Sequence, residues 1–299
     1  MRILVTGASG FIGHVTCAEL RERDHQVLAL VRRPGSHPPD TTAVAGDITA
    51  DGLTAAVAQA APDCVIHLAA EIATQRDQAK IDAVNVAGTA RLLDACRGLG
   101  GDGPRVVFAS TVVTGDAHGA LLEETTPLPI ETPYGRSKQA GERLVLDSGL
   151  PAVVVRPSHV YGAGGWFAEE IVARLRQPGR FAVVGRGENL WDVVRAEDVA
   201  SALADAADGG AAAGEIYHVV DDEPISCYDF IALAAEALGV GPPRRVPAMV
   251  ARLAAGRHAV NAVTRSARSS NAKLKRELGW TPRFPSAREG VPDAIAALG

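Results

Sequence analysis

The sequence predicts an α/β protein built on a doubly wound parallel sheet. Two observations carry that reading. Apolar runs of strand character alternate with helical patterns through the first half of the chain, and 47% of its 299 residues are hydrophobic, with many Ala, Val and Leu. A parallel sheet covered by helices on both faces requires such near-continuous apolar strands. Predicted strands fall at Arg2–Thr6, Gln26–Val31, Asp63–His67, Arg105–Ala109 and Ala152–Arg156. Predicted helices between them include Phe11–Arg23, Asp51–Ala60, Lys80–Gly98 and Tyr134–Asp147. Right-handed crossovers connect such units, and ligands bind beyond the C-terminal ends of the strands.

The first strand runs straight into Thr6-Gly7-Ala8-Ser9-Gly10-Phe11-Ile12-Gly13, and a helical pattern follows at once. A glycine turn between strand and helix lets a diphosphate approach the backbone, while the N–H groups opening the helix face the anion. The spacing Gly7, Gly10, Gly13 differs from the G-x-G-x-x-G of the commonest dinucleotide folds. The second strand ends Val27-Leu28-Ala29-Leu30-Val31 and continues into Arg32-Arg33. An acid at that position would accept from adenosine ribose hydroxyls; two guanidiniums suit a 2′-phosphate instead. The expected cofactor is therefore NADP(H), with NAD(H) as the alternative.

The fourth predicted strand ends in Ser110-Thr111, and Thr132-Pro133 marks a helix entry just before Tyr134-Gly135-Arg136-Ser137-Lys138. Tyr and Lys four apart share one helix face. A nearby ammonium lowers a phenol toward working pH, so that Tyr can exchange a proton with a carbonyl or alcohol oxygen. Ser110, at the strand end, can hydrogen-bond the same oxygen. The plainer alternatives are an ordinary amphipathic helix and a turn hydroxyl.

Beyond about Tyr161 the alternation loosens at Gly162–Gly165, Gly185–Gly187 and Pro242-Pro243. The chain divides on this reading into a dinucleotide-binding core, 1–160, and a mainly substrate-binding part, 161–299, with some segments returning to the core. Helices at Ser201–Asp208, Tyr228–Leu238 and Ala272–Gly279 read as packing elements of the smaller lobe, and 209–214 as a flexible surface loop. A net charge of −5 points away from nucleic-acid and membrane surfaces. Cys17, Cys64, Cys96 and Cys227 lack metal-ligand spacing and sit in apolar patterns. They read as buried thiols of a cytoplasmic protein with no metal site. No signal peptide or membrane span is expected.

Taken together in order, these motifs resemble the extended, epimerase/dehydratase-type short-chain dehydrogenases/reductases, on a Rossmann-type sheet. The resemblance also includes Gly46-Asp47-Ile48, His67-Leu68-Ala69-Ala70, Asn85-Val86-Ala87-Gly88-Thr89, Arg156-Pro157-Ser158-His159-Val160-Tyr161-Gly162, Glu197-Asp198-Val199-Ala200 and Glu277-Leu278-Gly279-Trp280-Thr281-Pro282. It implies that Gly7, Gly10 and Gly13 form the diphosphate turn, with Phe11 and Ile12 opening the helix over it. Asp47 and Ile48 would flank the adenine, Leu68, Ala69 and Ala70 would line the cofactor trough, and Pro157 and His159 would pass the nicotinamide. Ser110 matches the family's catalytic Ser/Thr, Tyr134 its acid/base and Lys138 the electrostatic partner and ribose ligand, while Asn85 helps organise the site. A homodimer through the Tyr-x-x-x-Lys helix and the helix before it is implied as well.

Two departures bear on substrate. Trp191 stands where nucleotide-sugar members carry an Arg, and His159 where the family carries an Asn. Both suit a flat or apolar small molecule better than a diphosphate, although Arg195 or Arg268 remains available as an anchor. Thr111, His159, Trp166 and Trp191 are candidate substrate contacts, with core packing the alternative for the tryptophans. The expected activity is hydride transfer to or from a ketone or secondary alcohol. The alternatives are a nucleotide-sugar epimerase with tightly bound NAD and a non-catalytic dinucleotide sensor. Val112 and Val113 after Ser110-Thr111 leave no place for the acidic residues of a dehydratase.

Overall fold

A computed structural model describes residues 1–33, 35–177 and 181–299. Seven parallel strands form the central sheet: β1 (Arg2–Thr6), β2 (Gln26–Val31), β3 (Thr42–Ala45), β4 (Cys64–His67), β5 (Arg105–Ala109), β6 (Ala152–Pro157) and β7 (Ile216–Val219), in the order β3-β2-β1-β4-β5-β6-β7. The order reverses beside β1, which opens a crevice at the C-terminal ends of β1 and β4.

Alternate side chains of each strand feed opposite faces. Ile3 and Val5 pack with the helices α1 (Phe11–Glu22) and α6 (Ala196–Ala207) on one face. Leu4, Val106 and Phe108 pack on the other with α2 (Leu53–Ala60), α4 (Thr89–Arg97) and α5 (Pro133–Leu146). Preceding α4 are α3 (Gln78–Asp82) and a π-helical turn, Ala83–Gly88. Burying one such Val or Leu contributes roughly 1.5–3 kcal/mol.

The five strands expected from sequence all form, with ends within one residue of the predicted bounds. Two more sheet strands lie outside that reading. β3 is a four-residue edge strand, largely exposed, so it lacks an apolar run. β7 joins β6 from far along the chain, Ile216 pairing with Val154.

The second half is also more closely tied to the sheet than its composition suggests. The predicted lobe helix Ser201–Asp208 is the end of α6, which packs on α1 as part of the core layer. Arg23 at the end of α1 donates to Glu19 at 2.9 Å and to Asp205 at 2.6 Å. Trp280, almost fully buried, donates to Ser201 at 2.9 Å. The 209–214 segment is pinned: Ala211 is buried and its carbonyl accepts from Arg105. A separate core gathers Tyr161, Phe167, Trp191, Phe230 and Ile231. All four cysteines are buried free thiols. No helix among the described residues is long and apolar enough to cross a membrane.

Candidate active site

The turn after β1 requires glycine for identifiable reasons. Gly7 has φ +71°, and a Cβ there would lie 2.7 Å from the Ala69 nitrogen. A Cβ on Gly13 would lie 2.2 Å from the Gly7 carbonyl oxygen. Gly10 donates to that oxygen at 2.9 Å and is itself exposed. α1 starts at Phe11 with no side-chain cap and no acid in its first turn. Its first N–H groups, including that of Ile12, are therefore left to an anion. The Phe11 ring sits against the 162–165 loop, where a Cβ on Gly162, Gly164 or Gly165 would come within 2.9, 2.7 or 2.8 Å of it. That clamp is invisible in sequence, where the loop reads only as a break.

From this turn a hydrogen-bonded chain crosses the crevice. The Thr6 hydroxyl lies 2.7 Å from His67 Nδ1 and accepts from the Ala69 N–H at 3.2 Å. His67 Nε2 lies 3.0 Å from the Thr89 hydroxyl, which donates to the Asn85 carbonyl at 2.8 Å. Because the Thr89 hydrogen is committed to that carbonyl, His67 carries its proton on Nε2 and accepts from Thr6 at Nδ1. Burial, with the Lys138 charge adding, pushes the ring down to about 3, so it is neutral.

Asn85 occupies the π-helical turn and is buried. Its Oδ1 accepts from the Glu71 N–H at 2.7 Å, and its Nδ2 donates to the Glu71 carbonyl and the Ser137 hydroxyl, both at 2.9 Å. Ser137 donates to the Tyr134 carbonyl at 2.8 Å. α5 is fixed at its start by Thr132, whose hydroxyl accepts from the Gly135 N–H at 2.9 Å, with Pro133 in the first turn.

Tyr134, Lys138 and Glu142 follow one another at four-residue spacing on α5. Lys138 is buried, its ammonium 4.2 Å above the centre of the Phe108 ring. Burial lowers it to about 8, against the raising influence of Glu142. Glu142 accepts from Arg156 through both oxygens, at 2.8 and 2.6 Å. Tyr134 does not show the lowered phenol that the Tyr-x-x-x-Lys spacing predicts. Burial pushes it up to about 12, so it holds its proton across the neutral range. At the end of β5 the Ser110 backbone N–H donates to Val155 at 2.7 Å, while its buried hydroxyl has no partner among the described residues.

On the adenosine side Arg32 and Arg33 are exposed at the end of β2. Against the upward push of partial burial, hydrogen bonds from Thr49 and the Arg32 charge hold the Asp47 carboxyl below its usual range. One Asp47 oxygen accepts from both the Thr49 N–H and hydroxyl, at 2.8 and 2.7 Å, as in a turn. Ile48 is core: a Cβ on Gly88 would lie 2.9 Å from its side chain. Leu68, Ala69 and Ala70, directly after β4, are half-buried at the crevice.

Residues 3–219 match the model of the NAD dependent epimerase/dehydratase family. The chain belongs to that family. It is 31% identical, over 97% of its own length and 99% of the relative's, to a Streptomyces 3-diazoavenalumate denitrifying reductase. It is 32% identical to the 2-alkyl-3-oxoalkanoate reductase of Stenotrophomonas maltophilia, over 82% of this chain and 77% of that one. Among solved structures, the UDP-glucose 4-epimerase of Thermus thermophilus in complex with NAD superposes with a TM-score of 0.83 at 27% identity, covering 100% of this chain and 99% of that one. Reductases and epimerases are thus both among the relatives.

The residues expected from sequence to contact substrate pack together in part. His159 stacks on Trp191 with ring centres 5.3 Å apart and meets Trp166 edge-on at 6.2 Å. Trp191 is largely buried and belongs to the Phe230 core, so packing accounts for most of its surface. Trp166 is spent in part on a 2.6 Å bond to the Val160 carbonyl. The Thr111 hydroxyl is also committed, donating to Pro157 at 3.2 Å and accepting from the Val113 N–H at 2.9 Å. Arg195 is buried and paired with Glu197 and Asp293, and Arg268 donates to the Gly119 carbonyl at 3.1 Å. Sequence reasoning passed over Arg265, whose Nη2 lies 3.1 Å from His159 Nε2. The contact joins positions 106 residues apart, and no spacing rule connects them.

Proposed function

We propose that the chain is an NADP(H)-dependent oxidoreductase moving hydride to or from a ketone or secondary alcohol, with Tyr134 as acid/base. The observation that carries this reading is the buried Ser110 hydroxyl, which has no partner among the described residues, at the end of β5, beside a helix that carries half-buried Tyr134 and buried Lys138 one turn apart. A buried hydroxyl left unpaired is costly, and a substrate carbonyl oxygen relieves that cost. When bound, the nicotinamide supplies or accepts the hydride. Tyr134 gives its proton to the carbonyl oxygen in reduction and recovers one in oxidation. Ser110 polarises the carbonyl, the Lys138 ammonium supports the charge left on Tyr134, and Asn85 orients α5.

Gly7, Gly10, Phe11, Ile12 and Gly13 hold the diphosphate on this reading, Arg32 and Arg33 the 2′-phosphate, and Leu68, Ala69, Ala70, Pro157 and His159 the nicotinamide half. Residues 1–160 supply most of the cofactor side and 161–299 most of the substrate side. Reductases covering most of this chain support the direction of the proposal. The NAD-bound epimerase structure supports a second reading, a nucleotide-sugar epimerase. Trp191 and His159 in place of the family's Arg and Asn count against it. Stoichiometric consumption of NADPH with a ketone supports the reductase. NAD that co-purifies and survives gel filtration, with no net NADPH consumption, would replace it with the epimerase.

The concave face between α4 and α5, lined by Val86, Ala90, Leu93, Ala140 and Leu144, is proposed as a homodimer contact. Four buried thiols support a reducing, cytoplasmic setting.

A further inference from the structure

The reductase reading leaves the substrate unnamed beyond its carbonyl. A narrow cavity two residues beyond Ser110 is walled by Val112, Val113, Leu190 and Ala267, and its polar lining is His159, Asp192 and Arg265. His159 Nδ1 lies 2.9 Å from the Asp192 carbonyl, so this nitrogen carries the proton and Nε2 accepts from Arg265 Nη2 at 3.1 Å. The ring is neutral, pushed down to about 3 by burial and by the Arg265 charge.

Arg265 is therefore a cation whose side-chain partner is uncharged. Among the described residues no carboxylate lies within 4.0 Å of its nitrogens. The acids whose charge reaches it, Asp116 and Glu131, are otherwise engaged. Asp116 accepts from the Ser266 and His118 N–H groups at 3.0 and 2.8 Å, and Glu131 from the Asp116 N–H at 3.2 Å. The Arg265 Nε–H is buried with no partner among the described residues. A half-buried guanidinium whose buried Nε–H has no acceptor is a costly arrangement unless an anion completes it, and a carboxylate does so with charge-assisted bonds.

We propose that Arg265 determines specificity by taking the carboxylate of the substrate, which makes the substrate class a keto acid. The proposal rests on the reductase reading for the ketone but not for the carboxylate.

The test measures binding without turnover, by calorimetry on the whole protein saturated with NADP+, using 3-oxo-3-phenylpropanoate and its methyl ester. The wild type should bind the acid at least tenfold more tightly than the ester. Arg265→Gln should abolish that preference, and Arg265→Lys should retain part of it, because the charge stays while the fork is lost. Thermal melts confirm that the variants fold, and the wild-type comparison stands without them. Equal binding of acid and ester, or a preference that survives in a folded Arg265→Gln, overturns the proposal. So does Arg265-dependent binding of UDP tighter than that of the acid. Retained acid preference with no NADPH oxidation would sink the reductase reading alone.

Discussion

The side-chain amide of Asn85 donates to the Ser137 hydroxyl at 2.9 Å across 52 residues of chain, and Ser137 in turn holds the Tyr134 carbonyl. The π-helical turn and the helix bearing Tyr134 are thus fastened by one buried amide that also closes on both backbone groups of Glu71. A π turn inside a helix is a common mark of a functional position. Asn85→Ala leaves those groups unpaired and should cost about 1–3 kcal/mol of stability. Turnover should fall about tenfold or more while Kd for NADPH changes little, since a misplacement near 1 Å is enough for such losses. Stopped-flow turnover beside NADPH titration checks this; unchanged kcat would remove Asn85 from the site.

Tyr134→Phe deletes only the phenolic oxygen. Turnover should drop roughly 10²–10⁴-fold, with NADPH binding intact by fluorescence titration. Burial brings Lys138 to about 8, so its ammonium is present below that pH and lost above it. Reduction should therefore weaken with a limb near pH 8, and Lys138→Arg, which stays charged, should move that limb upward. A limb that does not move would disconnect Lys138 from catalysis.

Arg32 and Arg33 stand exposed where β2 ends. If they clamp a 2′-phosphate, each charge-assisted contact contributes about 1.5–3 kcal/mol. Arg32→Ala and Arg33→Ala should each weaken NADPH roughly ten- to hundredfold and leave NADH nearly unchanged. Wild-type affinity for NADH equal to or better than that for NADPH would overturn the cofactor assignment.

His67 is neutral when folded, at about 3 against the ordinary imidazole value of 6.5. Below pH 6.5 the unfolded chain binds a proton that the folded chain refuses, so stability falls as pH falls. The slope approaches about 1.4 kcal/mol per pH unit at most. Asp192 and Asp221, raised by burial to about 7 and about 9, act in the opposite direction. Subtracting the denaturation profile of His67→Gln cancels them. The difference between wild type and variant should decline from pH 6.5 to 5; a flat difference would mean His67 is charged in the native state.

Ala140 lies on the concave α4–α5 face. Introducing a charge with Ala140→Glu should shift sedimentation from dimer to monomer if that face pairs two copies. A wild type that sediments as a monomer at micromolar concentration would dispose of the dimer.

Much of this protein is legible along the chain. Val31 ends its strand where the apolar run ends, and Gly7, Gly10 and Gly13 announce a turn, Gly7 and Gly13 because only glycine tolerates those approaches. Ser110, Tyr134 and Lys138 carry their chemistry in their residue types and in their placement on a strand end and a helix face. The rest needed the folded molecule, because it depends on distances the chain order does not encode. β3 and β7 hide in sequence because one is a short exposed edge and the other returns from afar to pair with β6. The helical spacing of Tyr134 and Lys138 suggests a lowered phenol, but burial pushes it up. Asp47 and Thr111 prove to be tied into turns, and the path Thr6–His67–Thr89–Asn85 assembles from three separate segments. Local pattern determined which residues could hold a dinucleotide and move a proton. Tertiary packing alone decided which polar groups were left unsatisfied among the described residues, the Ser110 hydroxyl and the Arg265 Nε among them, because satisfaction is a property of neighbours in space.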